Sequence, residues 1–285
     1  MFTLRNPHSV LAALERRPHD VVEVQLVGGK PRPAWARVAQ EAARHGIPVH
    51  EVGGGGGPAG GGGGGRAGRG GDRGDRGDRG KKRRGRGDDT GGRGGHSVAR
   101  VQPGPETPLE ELFVTTPGDG RAEAGDHGLW LAVDQVQDPH NLGAVFRSAA
   151  FFGVRGLLLT RDRSAPLGEV AYDVASGGVE MVPWAAPPNL DRALKQAREA
   201  GLWILGAAGE AERDVREVPR DRPWLLVLGN EETGLRRLTR EACDDLCKLT
   251  PRGGLDALNV SAAGAVLMSH LTTPVSAPAP PPESP

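Results

Sequence analysis

From residue 129 onward the chain alternates short apolar runs with longer amphipathic stretches, and this pattern strongly constrains the fold. The short runs are of strand length and the longer stretches have helical spacing. Strands that are apolar on both faces are typical of a parallel sheet covered by helices on both sides. We therefore predict an α/β domain with a parallel sheet over residues 129–273. The strands are expected at 129–136, 156–160, 203–206 and 224–228, and the helices at 142–152 and 189–200.

A second, smaller unit is predicted at the start of the chain. Residues 8–14 and 34–45 have helical spacing, whereas 21–27 and 47–52 read as strands. Residues 96–101 read as one more strand that resumes the same unit. Alternation of this kind favours a small α/β domain with a parallel sheet, formed by residues 1–52 and 96–102.

Residues 53–95 separate the two parts of this small unit and contain almost no side chain that could enter a core. Twenty-three of the 45 glycines of the chain fall here, together with 11 Lys or Arg and 5 Asp between residues 66 and 93. Such a segment cannot offset its chain entropy, so we predict disorder. Its basic clusters suit either an RNA-binding arm or a solvated flexible insert. Residues 103–128 are predicted to be a linker, and 274–285 a disordered Pro-rich tail.

The remaining composition excludes several classes of protein. Cys243 and Cys247 are too few for a disulfide framework or a zinc site. They lie four apart on a predicted helix, where at least one of them is expected to be a buried apolar residue. No apolar run approaches 18 residues and no charged-apolar-small leader opens the chain. We expect a soluble cytoplasmic protein.

The first of three candidate functional loops covers residues 134–153 and follows a predicted strand. It contains Asn141 at a helix start and Arg147 nearly two turns later. An arginine on a helix usually lies on the surface. The neighbours of Arg147 are mostly apolar, which favours a functional role. Open α/β sheets bind ligands at such loops.

The second and third loops carry the other candidate residues. In the second, 228–235, Gly229 allows close backbone approach and Glu231 can accept hydrogen bonds at a helix start; a simple helix cap explains it equally well. In the third, 255–271, Asn259 and Ser261 stand where a loop becomes an Ala-rich helix and can cap free amides. The small residues that follow allow this helix to approach another backbone closely.

Together the three loops resemble the three motifs of the SpoU (TrmH) family of RNA ribose 2′-O-methyltransferases. These enzymes are trefoil-knotted α/β (SPOUT) methyltransferases. The segment Ser176-Gly-Gly-Val-Glu is similar to another family segment, and the second loop with its continuation 236–241 is most similar to bacterial enzymes that methylate a guanosine of 23S ribosomal RNA. Residues 1–52 and 96–102 are similar to the small L30e-like RNA substrate-binding domain of those enzymes.

The resemblance implies a cofactor, a partner and an oligomeric state. The cofactor is S-adenosylmethionine, held bent in the knot between the second and third loops, with no metal. The partner is RNA, most of all ribosomal RNA, and the family works as a homodimer with its sites at the subunit interface. The implied cofactor-binding residues are Leu228, Gly229, Leu249, Thr250, Leu258 and Ser261.

The resemblance also implies roles in catalysis for Asn141, Arg147, Glu231, Asn259 and Ser261. A guanidinium has a pKa above about 12, so Arg147 is a poor base and a better clamp for phosphate and developing negative charge. Asn141 and Glu231 are expected to hold Arg147 and the ribose in register, and Glu231 is an alternative proton acceptor. We expect the groups of residues 147, 231 and 261 to converge on one pocket.

Two departures from the family pattern and three alternative functions remain. Thr250-Pro251 stands where the family has Pro-Met, which affects the cofactor contacts near Thr250. Asn6 stands where the first domain of the family has Gly; Asn is the next most tolerant residue of a positive φ, so little is lost by this change. The alternatives are a tRNA methyltransferase of the same family, a non-catalytic RNA-binding or ribosome-assembly factor, and, more remotely, a nicotinamide dehydrogenase, for which no glycine fingerprint follows a strand.

Overall fold

The computed structural model describes residues 1–28, 31–52, 96–114 and 127–273. These residues form a four-stranded sheet from the start of the chain and a six-stranded sheet from the remainder. The predicted disordered segments, 53–95 and 274–285, lie outside the described residues. Much of the predicted linker, 115–126, lies outside them as well.

The first sheet has the order β1-β4-β2-β3, and two helices pack on it. Its elements are β1 Phe2–Leu4, α1 Pro7–Arg16, β2 Val21–Val27, α2 Pro33–Arg44, β3 Val49–Val52 and β4 Val98–Val101. Only β2 and β3 run parallel, whereas β4 pairs antiparallel with both β1 and β2. The expectation of a parallel sheet is therefore confirmed for β2 and β3 and wrong for β4. Helix α2 supplies the crossover that the parallel pair β2–β3 needs, whereas antiparallel pairs need none.

The second sheet is parallel throughout, in the order β10-β8-β9-β5-β6-β7. This confirms the parallel sheet predicted from the apolar runs. Its strands are β5 Leu129–Val133, β6 Gly156–Leu159, β7 Trp184–Ala185, β8 Trp203–Ala207, β9 Trp224–Leu228 and β10 Asp245–Cys247. The helices are α3 Leu109–Leu112, α4 Pro139–Phe151, α5 Glu169–Ala175, α6 Gly178–Met181, α7 Leu190–Glu199, α8 Arg237–Glu241 and α9 Val260–Thr272.

Alternate residues of the central strands enter two separate cores, one on each face of this sheet. On β5, Leu131 joins the core formed with α4, α5 and α9, and its neighbour Trp130 joins the core formed with α3 and α7. Both side chains are almost fully buried. Burial of one such side chain stabilises the fold by about 1.5–3 kcal/mol. Burial on both faces explains why β5 reads as a continuous apolar run.

Residues at the start of the chain join the two units through hydrogen bonds to α5. The backbone amides of Arg5 and Asn6 each donate to Asp173 Oδ1 over 2.9 Å. The Asn6 side chain accepts from the amide of His8 as the N-cap of α1 and donates to Ser176 Oγ. Its φ is −86°, so the tolerance of asparagine for a positive φ is not used at this position. The Asn6 side chain caps α1 and links it to Ser176, so this position does not require the conformational freedom of glycine.

Part of the predicted linker packs tightly on the second unit. Leu112 of α3 is buried in the same core as Trp130, and its carbonyl accepts a hydrogen bond of 2.7 Å from the indole Nε1 of that residue. The two cysteines also differ from expectation. Cys243 lies between α8 and β10, and Cys247 lies in β10, so they do not share a helix. Cys247 is buried, as predicted for at least one of them.

Candidate functional site

The candidate loops meet at the carboxyl edge of the parallel sheet. Strands β5 and β9 are neighbours, with Val133 paired to Leu228 at their last residues. The first loop leaves β5 and enters α4, which Asp138 caps by accepting a hydrogen bond from the amide of His140. The second loop leaves β9. Because both strands end at the same edge, residues about ninety positions apart become neighbours.

A chain of side-chain hydrogen bonds connects all three loops. Ser261 Oγ donates to Asn259 Oδ1 over 2.6 Å. Asn259 Nδ2 donates to Asn141 Oδ1 over 2.9 Å, and Asn141 Nδ2 donates to Glu231 Oε1 over 2.8 Å. Every bond points the same way, from the hydroxyl towards the carboxylate. Four of the five predicted catalytic residues thus form one connected group.

The third loop is held in place by the way α9 begins. Asn259 is its N-cap, and its Oδ1 accepts from the amides of Ser261 and Ala262 as well as from the Ser261 hydroxyl. This confirms the capping role predicted from the sequence. Gly264 allows the close approach that the small residues predict, because a Cβ there would lie 2.8 Å from the side chain of Leu228. Helix α9 therefore sits directly against the end of β9.

Arg147 lies apart from this hydrogen-bonded group. Six residues of helix separate it from Asn141, a rise of roughly 9 Å along α4. Its side chain is exposed, and within the described part of the chain it forms no hydrogen bond or ion pair. Of the three residues expected to converge on one pocket, 231 and 261 are therefore connected by a chain of hydrogen bonds, and Arg147 does not belong to that chain. The convergence of Arg147 on the same pocket stays a prediction.

A cavity of about 770 Å³ lies between the second and third loops. This volume is within the usual range for small-molecule sites. Glu231 lines it, as do five of the six predicted cofactor-binding residues: Leu228, Gly229, Leu249, Thr250 and Leu258. Ser261 is the exception: it donates to Asn259, which is linked through Asn141 to Glu231 on the cavity wall.

The backbone of the second loop folds tightly over this cavity. A Cβ at position 229 would lie 2.4 Å from the carbonyl carbon of Gly234, so only glycine fits. Gly234 itself has φ +67°. Leu258 on the opposite wall is more than half exposed, which leaves apolar surface for a ligand to cover. The cavity is therefore bounded by the closed turn 229–234 and by the exposed apolar side chain of Leu258.

Thr250 is held by an interaction that sequence reasoning did not find. Its amide donates to Asp214 Oδ2 over 3.2 Å, and its hydroxyl donates to the same oxygen. Hydrogen bonds from Arg216, and then from Thr250, hold the pKa of Asp214 well below its usual range. The Thr250 amide is therefore engaged with Asp214. The backbone carbonyl of Thr250 is left to contact a ligand. The bonds to Asp214 also fix the conformation of the loop around residue 250.

Asp134 and Asn230 support the site and were not singled out from the sequence. The Asp134 carboxylate is fully buried, accepts from Thr239 Oγ1 over 2.8 Å and pairs with Arg236 at 2.9 Å. Asn230 donates to the carbonyl of Gln135 over 2.8 Å. The Asn230 contact ties the first loop to the second, and the Asp134 contacts tie the first loop to the start of α8. The sequence signal that identifies Asp134 is an acidic residue directly after an apolar strand, because a carboxylate buried there needs a hydrogen-bonding partner.

Among the described residues there is neither a metal-binding cluster nor a helix of membrane-spanning length. The described residues contain no group of three or more His, Cys, Asp or Glu side chains placed to hold a metal ion. Within 1–28, 31–52, 96–114 and 127–273, no helix is long and apolar enough to cross a membrane. The two thiols are unsuited to chemistry at neutral pH, because burial raises the pKa of Cys243 and of Cys247 to about 12.

Comparison with known proteins gives matches along most of the chain. The profile of the SpoU rRNA Methylase family matches residues 128–269. The 23S rRNA (guanosine-2′-O-)-methyltransferase RlmB of Pseudomonas aeruginosa is 34% identical over 267 residues, which is 93% of this chain and 93% of that protein. The protein of the same name from Pseudomonas putida is 34% identical over 264 residues, 92% of each chain.

Solved structures show the same fold at lower identity. The SpoU methyltransferase AviRb from Streptomyces viridochromogenes, in complex with the cofactor AdoMet, superimposes with a TM-score of 0.66. The match covers 95% of this chain and 89% of that one, with 18% identity. At this identity the similarity concerns the fold alone. Both the α/β architecture and the parallel sheet predicted from the sequence agree with it.

Proposed function

The chain belongs to the SpoU rRNA methylase family, and on this basis we propose that it methylates a ribose 2′-hydroxyl of RNA with S-adenosylmethionine as donor. The substrate we propose is a guanosine of 23S ribosomal RNA, in keeping with relatives 34% identical over nearly the whole chain that carry this activity in their names. This proposed activity and substrate are the ones that the sequence motifs predict.

The observation that carries this proposal is the hydrogen-bonded chain from Ser261 to Glu231. It unites the three loops that the sequence singles out, and it ends on a carboxylate that lines the cavity. A non-catalytic RNA-binding protein has no use for a carboxylate held in this way. The arrangement therefore supports an enzyme over a binding factor.

The cavity between the second and third loops is the proposed cofactor site. Leu228, Gly229, Leu249, Thr250 and Leu258 line it, and Ser261 supports its edge through Asn259. Gly229 closes the turn that bounds this site, because a Cβ there would meet the backbone of Gly234 at 2.4 Å. When bound, S-adenosylmethionine supplies a sulfonium methyl group, which is already a strong electrophile and needs no metal.

The residues of the chain must then orient and activate the ribose hydroxyl. Glu231 keeps one carboxylate oxygen engaged with Asn141 and the other available, so it can accept a hydrogen bond or a proton from the 2′-hydroxyl. Arg147 presents a planar guanidinium fork, and its proposed role is to bind the adjacent phosphate and stabilise the developing alkoxide. Asn141 is committed to Glu231 and Asn259, which makes its role one of positioning.

A homodimer completes the site in this proposal. Phe151, the last residue of α4, is 83% exposed, and Val266 on the neighbouring helix α9 is 48% exposed. Residues 147 and 151 are four apart on α4, so Arg147 shares a helix face with this apolar surface. Burial of Phe151 and Val266 against a second copy would bring Arg147 to the subunit interface and out of bulk water.

The trefoil knot and the domain roles are also proposals. The knot is proposed from the family resemblance, and what supports it is that the chain between β10 and α9 lines the same cavity as the second loop. The first unit, 1–52 and 96–102, is the proposed L30e-like RNA-binding domain. Residues 103–128 connect it to the methyltransferase domain, 129–273.

Transfer of a tritiated methyl group from S-adenosylmethionine to purified RNA tests the proposal. We expect label in 23S ribosomal RNA that lacks 2′-O-methylation, at a guanosine located by alkaline-resistance mapping, and none in a transfer RNA pool. Label only in transfer RNA would make the chain a tRNA methyltransferase. No label in either RNA, from protein that binds S-adenosylmethionine, would contradict the proposed activity.

A further inference from the structure

Two adjacent glycines separate the first unit from helix α4. A Cβ at Gly177, which has φ +95°, would lie 2.9 Å from Ala12 of α1. A Cβ at Gly178 would lie 2.7 Å from the carbonyl oxygen of Phe146 and 3.0 Å from the amide nitrogen of Arg147. The two residues face opposite ways. The backbone of Gly177 and Gly178 therefore fills the space between α1 and the turn of α4 that carries Arg147.

A buried ion pair fixes the residues that directly follow these two glycines. Helix α6 begins at Gly178, and its Glu180 accepts two hydrogen bonds of 2.7 Å from Nε and Nη2 of Arg17. The Arg17 guanidinium also donates to the carbonyl of Gln102 and to Asp20. The side chains of Arg17 and Glu180 are only 8% and 5% exposed. Solvent screens such a pair far less than a surface ion pair.

Arg17 and Glu180 come from different units. Arg17 closes α1 of the first unit, whereas Glu180 belongs to the second. The forked geometry fixes direction as well as distance, because two parallel hydrogen bonds join the two groups. Helix α6 is therefore clamped to the first unit at Glu180 and pressed against α4 at Gly178.

We propose that Arg17 and Glu180 are positioning residues for Arg147. By holding α6 in place they set the backbone of α4 at residues 146 and 147, and thereby where the guanidinium stands. The inference rests on the function proposed above. It adds that the first unit acts on methyl transfer itself, in addition to any part it has in binding RNA.

The test is steady-state methyl transfer by the full chain, with variants of Arg17 and Glu180. Arg17→Lys keeps the charge but loses the fork, and Glu180→Gln keeps the shape but loses the charge. We expect each to lower kcat by roughly tenfold to a hundredfold, as for a misplacement of about 1 Å, with KM for S-adenosylmethionine unchanged. Glu169→Gln is the matched control. Glu169 accepts from the amide of Thr3 across the same junction but lies on α5, so its variant should keep the normal kcat.

Combination with Arg147→Ala separates positioning from a general structural effect. If Arg17 acts through Arg147, Arg17→Lys should cause no further loss of kcat in an Arg147→Ala background. Additive losses would overturn the proposal, as would equal losses in Glu169→Gln and Arg17→Lys. Hydrogen exchange of residues 139–151 provides a readout independent of activity, and we expect faster exchange in Arg17→Lys and Glu180→Gln only. Unchanged exchange would also overturn the proposal.

The controls distinguish the failure of this inference from that of the proposed function. If the unsubstituted chain transfers no methyl group to RNA, the function fails, and hydrogen exchange still tests the clamp. If it is active and Arg17→Lys, folded by circular dichroism, is equally active, the inference fails alone. Glu180→Gln serves in its place if Arg17→Lys does not fold.

Discussion

Asn141 donates its side-chain amide to Glu231 Oε1 over 2.8 Å across 90 positions of sequence. The same side chain accepts from Asn259, so one amide group joins all three functional loops. Both its oxygen and its nitrogen are used in this way. Its contribution is therefore to hold the second and third loops in place relative to the first. The substitutions below separate this positioning role from ligand binding.

Replacing Asn141 by Asp should reduce methyl transfer strongly. The change removes the donor to Glu231 and places two carboxylates side by side, which repel each other. We expect kcat to fall by roughly a hundredfold, the scale of a misplaced catalytic group, with little change in S-adenosylmethionine affinity. Asn189→Asp is the control, because Asn189 caps α7 and Asp caps equally well. Normal turnover in Asn141→Asp would remove this bridge from the mechanism.

Arg147→Ala should lower kcat by roughly a hundredfold to a thousandfold, the usual loss when one stabiliser of developing charge is removed. Calorimetric titration should find the affinity for S-adenosylmethionine nearly unchanged, because Arg147 does not line the cavity. Arg192→Ala on α7, at the opposite face of the sheet, is expected to behave like the unsubstituted protein. An Arg147→Ala enzyme with near-normal kcat would show that the guanidinium has no part in the reaction.

Gly229→Ala should weaken cofactor binding. The added methyl group would meet the backbone of Gly234 at 2.4 Å, and backbone cannot rotate away. We expect the Kd for S-adenosylmethionine to rise by at least about tenfold, the equivalent of roughly 1.4 kcal/mol. Gly209→Ala is the matched control, because Gly209 lines the same cavity and has no atom within 4 Å of the added carbon. Equal affinities in the two variants would argue against the proposed cofactor site.

Phe151→Asp should convert the proposed dimer to a monomer. A charge in place of an 83% exposed phenyl ring cannot be buried against a second copy without a large desolvation cost. Light scattering coupled to size-exclusion chromatography gives the mass directly. Leu238→Asp, at an exposed apolar residue of α8, should leave the mass unchanged. A monomeric unsubstituted protein would contradict the dimer itself.

The two thiols should resist alkylation in the folded protein. Burial raises the pKa of Cys243 and Cys247 from about 9 to about 12, so almost no thiolate exists at pH 8. Folding disfavours the thiolate, and the stability associated with the neutral thiols is therefore present below pH 9 and lost as the pH rises towards 12. Labelling with iodoacetamide at pH 8 should be slow until denaturant is added. Rapid labelling of the native chain would contradict this burial.

Local sequence determined much of the fold and nearly all of the candidate residues. The run at 129–133 has to be a buried strand because each of its residues is apolar, and Asn259 is a helix cap because it precedes an Ala-rich stretch. These properties depend on neighbours within a few positions. The antiparallel β4, the φ of Asn6 and the separate elements of Cys243 and Cys247 were not predictable in this way, because each depends on a partner far along the chain.

Only the tertiary structure decided how the functional groups are connected. The sequence indicates that Asn141, Glu231, Asn259 and Ser261 belong to one site, but the order of their hydrogen bonds follows from where β5 and β9 end and how α9 lies against them. The same holds for the clamp between Arg17 and Glu180. Side-chain identity sets which bonds a residue can form, whereas packing of distant elements sets which bonds it does form.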